Sequence, residues 1–261
     1  MEPIISIKEL SKTYGDGSSS KQVLSNISID IMHGQIIGYI GPNGAGKSTT
    51  IKILSGIIED FSGDVSILGM DIRKNALEIK RRIGYIPENA ALYDVLTPIE
   101  YLQFIGQLYG MDKAGIIEKA KNLLELFDLA SVSKQRINTF SKGMKQKVLL
   151  ISGLIHNPDI IFLDEPLSGL DTNAVIVVKE VLRQLAREGK TIFYSSHIMD
   201  VVEKISDRII LILDGRVIAD GSFDELSKTN NDQSLENLFA KLTGSEDQAE
   251  RAGKIIHAFE Q

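Results

Sequence analysis

The sequence predicts an α/β protein: a core built on a mainly parallel sheet, an antiparallel β subdomain beside it, and a helical subdomain inserted within it. Three observations carry that prediction. Short apolar runs at residues 35–40, 160–163, 191–194 and 209–213 contain no charged residue, as expected of strands covered on both faces. A glycine-rich loop follows the first run without a break. Between that loop and the run at 160–163, three helical stripes succeed one another.

Residues 4–10 and 23–31 read as strands of the antiparallel sheet, with the turn Gly15-Asp16-Gly17-Ser18-Ser19-Ser20 between them. The first inserted helix starts at Thr97-Pro98-Ile99-Glu100, where Thr97 is the cap, Pro98 fits the first turn and Glu100 can close a capping box. Tyr101, Leu102, Ile105, Leu108 and Tyr109 follow on one face, and Gly110 ends it. Ile116, Ile117, Ala120, Leu123, Leu124 and Phe127 trace a second stripe, and a third helix begins near Ser141 and stops before Pro158. The insert therefore spans roughly residues 88–158. Asp214-Gly215 reads as a tight hairpin turn. Leu235, Leu238, Phe239 and Leu242 form a short amphipathic helix. The division expected is a domain over 1–222 and a C-terminal helical extension over 223–261, polar from Ser245 and held again at Ile255 and Ile256.

The chain has 261 residues, 43% of them hydrophobic, which is enough for a full core. A net charge of -6 argues against a nucleic-acid partner, whose phosphates ask for a basic face. The absence of cysteine fits a reducing compartment. Met1-Glu2-Pro3-Ile4-Ile5 lacks the basic and apolar stretches of a signal peptide. Apolar runs stay far below the roughly 18–20 residues that a membrane helix needs.

The chemistry starts at Gly41-Pro42-Asn43-Gly44-Ala45-Gly46-Lys47-Ser48, a complete G-x-x-x-x-G-K-[ST] pattern between a strand and a helix. Its glycines let successive N–H groups turn inward as an anion nest, and the helix N-terminus adds partial positive charge. Lys47 can reach the β- and γ-phosphates of a nucleotide, and the Ser48 hydroxyl can ligate magnesium. The loop thus predicts a phosphate-loop NTPase core. The strand at 160–163 runs into Asp164 and Glu165 at the sheet edge where α/β sites form. Asp164 suits the magnesium shell, and Glu165 is placed to take a proton from an attacking water. Ser195-Ser196-His197 ends another strand, and the His197 imidazole could donate to a γ-phosphate. At the start of the third inserted helix, Ser141 and Gly143 offer a second anion site, which alone would be an ordinary helix cap.

Together these residues resemble the ATP-binding cassette family, the nucleotide-binding subunits of ABC transporters, over nearly the whole chain and in the family's motif order. The resemblance implies that Tyr14 stacks on adenine and that residues 41–48, with Thr49, hold ATP. It implies that Glu88 stands where the family has a magnesium-contacting glutamine, and that Ser141-Lys142-Gly143 is the signature segment. It further implies that Ser168-Gly169-Leu170-Asp171 crosses a dimer interface and that His197 is the switch histidine. The implied assembly is a head-to-tail pair with a second ATP-binding subunit, each nucleotide held by the phosphate loop of one and the signature segment of the other. Cofactors would be ATP and Mg2+. The implied location is peripheral, on the cytoplasmic face of the membrane, against a membrane-spanning transporter subunit.

Two positions depart from the family pattern: Lys142 replaces a glycine, and Glu88 replaces glutamine. Both, with the segment Ser234 to Gly244, resemble the bacterial branch that exports drugs, antibiotics or polysaccharides through separate membrane proteins. Cassettes that act on ribosomes or DNA usually carry two cassettes in one chain or a long coiled-coil insertion; this sequence shows neither.

Overall fold

The charge-free runs do pair side by side. The computed structural model describes residues 2–89, 92–230 and 234–244. In chain order the strands are β1 (Ile5–Tyr14), β2 (Lys21–Ile31), β3 (Ile36–Ile40), β4 (Ser62–Ile67), β5 (Met70–Asp71) and β6 (Ile83–Ile86). They continue as β7 (Ile160–Asp164), β8 (Thr191–Ser195), β9 (Arg208–Leu213) and β10 (Arg216–Gly221). The helices are α1 (Lys47–Leu54), α2 (Ala76–Arg82), α3 (Pro98–Leu108), α4 (Lys113–Leu126) and α5 (Lys142–Leu154). After them come α6 (Thr172–Arg187), α7 (Met199–Ile205), α8 (Phe223–Asn230) and α9 (Leu235–Leu242).

The larger sheet has the order β10-β9-β3-β8-β7-β6, parallel from β9 to β6, with β10 antiparallel at the edge. Every residue of β3, β7 and β8 is buried, which explains why Asp164, the last residue of β7, is the one charged residue in these three strands. The smaller sheet, β2-β1-β4-β5, is antiparallel throughout. The predicted fold class is therefore what the chain adopts.

Because side chains alternate along a strand, the larger sheet sorts its residues into two apolar layers. Ile37, Tyr39, Phe162, Phe193 and Ile210 face the antiparallel sheet and pack with Ile5, Leu24 and Ile29. Ile36, Ile40, Ile161, Leu163 and Ile192 face the other way and pack with Leu102, Ile116, Leu124 and Leu149 of the inserted helices. The second layer also takes in Leu235 and Leu238 of α9, which are fully buried. The amphipathic pattern at 235–242 is thus part of the core, and Glu203 of α7 accepts from the Leu235 N–H at 2.9 Å. The expectations for Ser245, Ile255 and Ile256 fall outside the described residues.

Local chemistry accounts for the expected boundaries. At α3, Thr97 Oγ1 accepts from the Glu100 N–H at 3.3 Å, and the Glu100 carboxylate accepts from the Thr97 N–H at 2.8 Å. Ser141 caps α5 by accepting from the Met144 N–H. Asp214 and Gly215, at φ 47° and 75°, join Leu213 to its partner Arg216 in the two-residue hairpin.

Candidate functional site

The glycine-rich loop leaves the end of β3 and enters α1 at Gly46, which has φ 109° and provides no capping side chain. The first N–H groups of α1 therefore face outward as donors, as an anion requires. Gly41 is needed for a different reason: a Cβ there would collide with the Ile212 carbonyl oxygen on the neighbouring β9. The loop lies against the sheet, and the Gly215 N–H ties Ala45 down at 3.1 Å.

Lys47 is buried, and its Nζ donates to Gly41 O at 2.7 Å and to Pro42 O at 3.2 Å. Burial pushes its ammonium below the ordinary lysine value, while the charges of Glu165, Asp164 and Glu88 push it back up. An ammonium has three donors, so one remains for a ligand in the cavity that Lys47 lines.

β7 delivers the carboxylates. Asp164 is 3% exposed, and its Oδ1 accepts from Ser195 Oγ at 2.7 Å and from Ser48 Oγ at 3.1 Å. Glu165 turns out of the strand at φ 49°, a region that a residue with a Cβ rarely enters. Its N–H donates to the same Ser195 Oγ at 3.2 Å. Ser195 lies directly opposite Asp164 on the adjacent parallel strand β8, so one hydroxyl braces both acidic residues. Two residues past it, His197 Nδ1 lies 2.7 Å from Glu165 Oε2.

Of the residues expected from the sequence, Asn43, Gly44, Gly46, Lys47, Ser48, Thr49, Glu88, Glu165 and His197 line a single cavity of about 530 Å³. Asp164 borders it through Ser48, while Gly41 and Pro42 act through their carbonyls on Lys47. Lys21 and Val23 complete the lining. Neither carries a sequence signal, since β2 has no motif, and the role of Ser195 shows only in its contacts with Asp164 and Glu165.

Tyr14 does not line the cavity, but its strand partner Lys21 does. Tyr14 is 41% exposed, and Lys12 Nζ lies 4.9 Å from its ring centroid. Ser141, Lys142 and Gly143 are likewise outside the cavity, at the start of α5. Asp171 caps α6 by accepting from the Ala174 N–H at 2.9 Å, and that bond holds its carboxyl below the usual range. One chain therefore brings together the phosphate loop, both acidic residues and the histidine, but not the second anion site.

This fold and this cavity define a phosphate-loop ATPase. The ABC transporter family model matches residues 24–168. The ABC transporter ATP-binding protein NatA of Bacillus subtilis (strain 168) is 35% identical over 237 residues, 90% of this chain and 96% of that protein. The bacitracin transport ATP-binding protein BcrA of Bacillus licheniformis is 37% identical over 231 residues, covering 88% of this chain and 73% of that one. Among solved structures, an ATP-binding subunit of an ABC transporter superposes with a TM-score of 0.83 at 32% identity, over 92% of this chain and 99% of that one. A dimeric ATP-binding cassette in a post-hydrolysis state with ADP and Pi gives 0.78 at 26% identity, over 84% and 98%. The chain belongs to the ABC transporter family and is an ATP-binding, ATP-hydrolysing subunit. Among the described residues no helix is long and apolar enough to cross a membrane.

Proposed function

We propose that this chain hydrolyses magnesium ATP in a composite site shared with a second ATP-binding subunit and drives export through a membrane-spanning partner. The observation that carries the reading is the division of groups within one chain. Lys47, Glu165 and His197 line one cavity, whereas Ser141, Gly143 and Asp171 stand apart from it. Two copies arranged head to tail would supply each other's missing anion contacts.

In this reading Lys47 and the N–H groups of residues 43–49, on the loop that Gly41 and Pro42 begin, hold the phosphates, and Tyr14 stacks on the adenine beside Lys21. The Ser48 hydroxyl and Asp164 carboxylate are hard oxygen donors only 3.1 Å apart. Among the described residues no three His, Cys, Asp or Glu side chains form a metal cage, so this pair suits an ion that arrives with phosphates. Mg2+ held there, with Glu88 at the cavity wall, would neutralise charge on the phosphoryl oxygens. Glu165 takes the proton of the attacking water, and His197 steadies that carboxylate while it faces the γ-phosphate. The signature residues Ser141, Lys142 and Gly143 would meet the partner subunit's nucleotide, with Asp171 at the interface.

A groove of about 540 Å³ lined by Tyr85, Tyr101, Ile105, Leu108 and Tyr109 supports docking of the membrane partner between β6 and the inserted helices. Leu77 and Leu108 are exposed at its rim, where apolar surface is otherwise unexplained. We take residues 1–222 as the ATPase domain, with the helices of 88–158 as its docking subdomain and 223–261 as an extension. The subunit would then sit at the cytoplasmic membrane face.

The test is purification from solubilised membranes. The chain is expected to carry a membrane protein with it and to show magnesium-dependent ATPase activity, with Glu88→Ala changing the magnesium dependence. A chain that purifies alone from membranes and hydrolyses ATP equally well in a chelator would overturn the reading.

A further inference from the structure

The helix that begins at Ser141 grips the loop that follows Glu165. Gln146, one turn into α5, is 2% exposed, and its Nε2 donates to Pro166 O at 3.2 Å. Beside it, α5 lies so close to the same loop that a Cβ on Gly143 would sit 2.9 Å from Gly169 O. The Lys142 stem covers Gly169, and its Nζ reaches Ser168 Oγ at 3.4 Å. Three residues of the first turns of α5 thus hold three residues of one loop.

That grip matters because of the residue where the loop begins. Glu165 has φ 49° and precedes a proline, a position that itself restricts the backbone. A non-glycine residue in this region is strained and persists only where its surroundings over-determine it. Three bonds do so here: Ser195 Oγ accepts from the Glu165 N–H, the Glu165 carbonyl accepts from the Ser168 N–H at 3.2 Å, and Gln146 holds the next carbonyl, at Pro166. Pro166 and Gln146 are both buried, so losing the amide would leave a buried carbonyl without this donor.

We infer that Gln146 is a positioning residue for hydrolysis: its amide holds the Pro166 carbonyl so that Glu165 keeps its strained turn and aims its carboxylate into the cavity. A structural consequence follows. The segment proposed to touch the partner subunit's nucleotide is mechanically tied to this chain's own Glu165, so the two composite sites are linked through α5. The inference rests on the reading of Glu165 as the proton acceptor.

The test uses the full chain with two variants at Gln146. Gln146→Met keeps the length and removes the donor. Its kcat is expected to fall at least about tenfold, since misplacement by an ångström is worth up to roughly a hundredfold, while ATP affinity stays within about twofold of the parent. Gln146→Glu has the same shape but at neutral pH faces the Pro166 carbonyl with a charge. On lowering the pH from about 8 to about 6, burial should favour the acid form, whose O–H donates again. The variant-to-parent ratio of kcat should therefore rise, whereas that of Gln146→Met stays flat. The ratio also cancels the pH dependence of groups common to both. A parental kcat in Gln146→Met, a parallel loss of ATP affinity, or a flat ratio for Gln146→Glu would each overturn the inference; should Gln146→Met not fold, the Gln146→Glu ratio decides. Glu165→Gln, assayed alongside, separates the two claims. Parental turnover there refutes the proton-acceptor reading, while an inactive Glu165→Gln beside a parental Gln146→Met refutes only the positioning role.

Discussion

Glu165 Oε2 lies 2.7 Å from His197 Nδ1 and also accepts from the His197 backbone N–H at 3.3 Å. The two residues leave adjacent parallel strands at the same level, so the sheet itself sets their separation. His197 thus holds the Glu165 carboxylate in place from the neighbouring strand. His197→Ala is expected to lower kcat by about tenfold or more, the scale of a misplaced catalytic group, while ATP affinity changes by less. Steady-state kinetics checks this, and a parental kcat in the variant would contradict the bracing role.

Ser195 is a second point of control. Its hydroxyl donates to Asp164 and accepts from the Glu165 N–H, both in a buried setting. Ser195→Ala leaves that N–H without an acceptor and takes one donor from Asp164. Chemical denaturation should register a loss of about 1–3 kcal/mol. Steady-state kinetics should register a larger loss in kcat than in ATP affinity, because Ser48 still donates to Asp164.

Lys47 links affinity to pH. Burial lowers its ammonium from the ordinary value of 10.5, and the Glu165, Asp164 and Glu88 carboxylates oppose that fall. The charged form binds phosphate, so ATP affinity should drop as pH rises, and at a lower pH than a free lysine would give. Glu88→Gln removes one opposing charge and should move the drop to still lower pH. Titrating nucleotide affinity without divalent metal checks this; a shift to higher pH would contradict the electrostatic account.

The legible parts of the fold were those set by local chemistry. The Thr97 capping box, the Ser141 cap, the Asp214-Gly215 turn and the phosphate loop each depend on residues within a few positions of one another. Other elements were not read. β4 has only two buried positions in six, β6 has four residues, and α2 carries only Ile79 into the core, so periodicity had little to register. α6 buries a stripe through Ala174, Val178 and Leu182, but Asp171 at its cap also belongs to the loop expected at the interface. In the site, the motif residues were visible in advance. The braces were not, because Ser195 to Asp164 and Gln146 to Pro166 span long separations with side chains that are ordinary anywhere else.

If Glu165 performs hydrolysis in a site closed by a second subunit, Glu165→Gln in magnesium ATP should turn over about a hundredfold or more slowly, the scale of a lost general base. With molecular mass measured on the same sample, the variant should be trapped as an ATP-bound dimer. A variant that stays monomeric with ATP bound and turns over at the parental rate would contradict it.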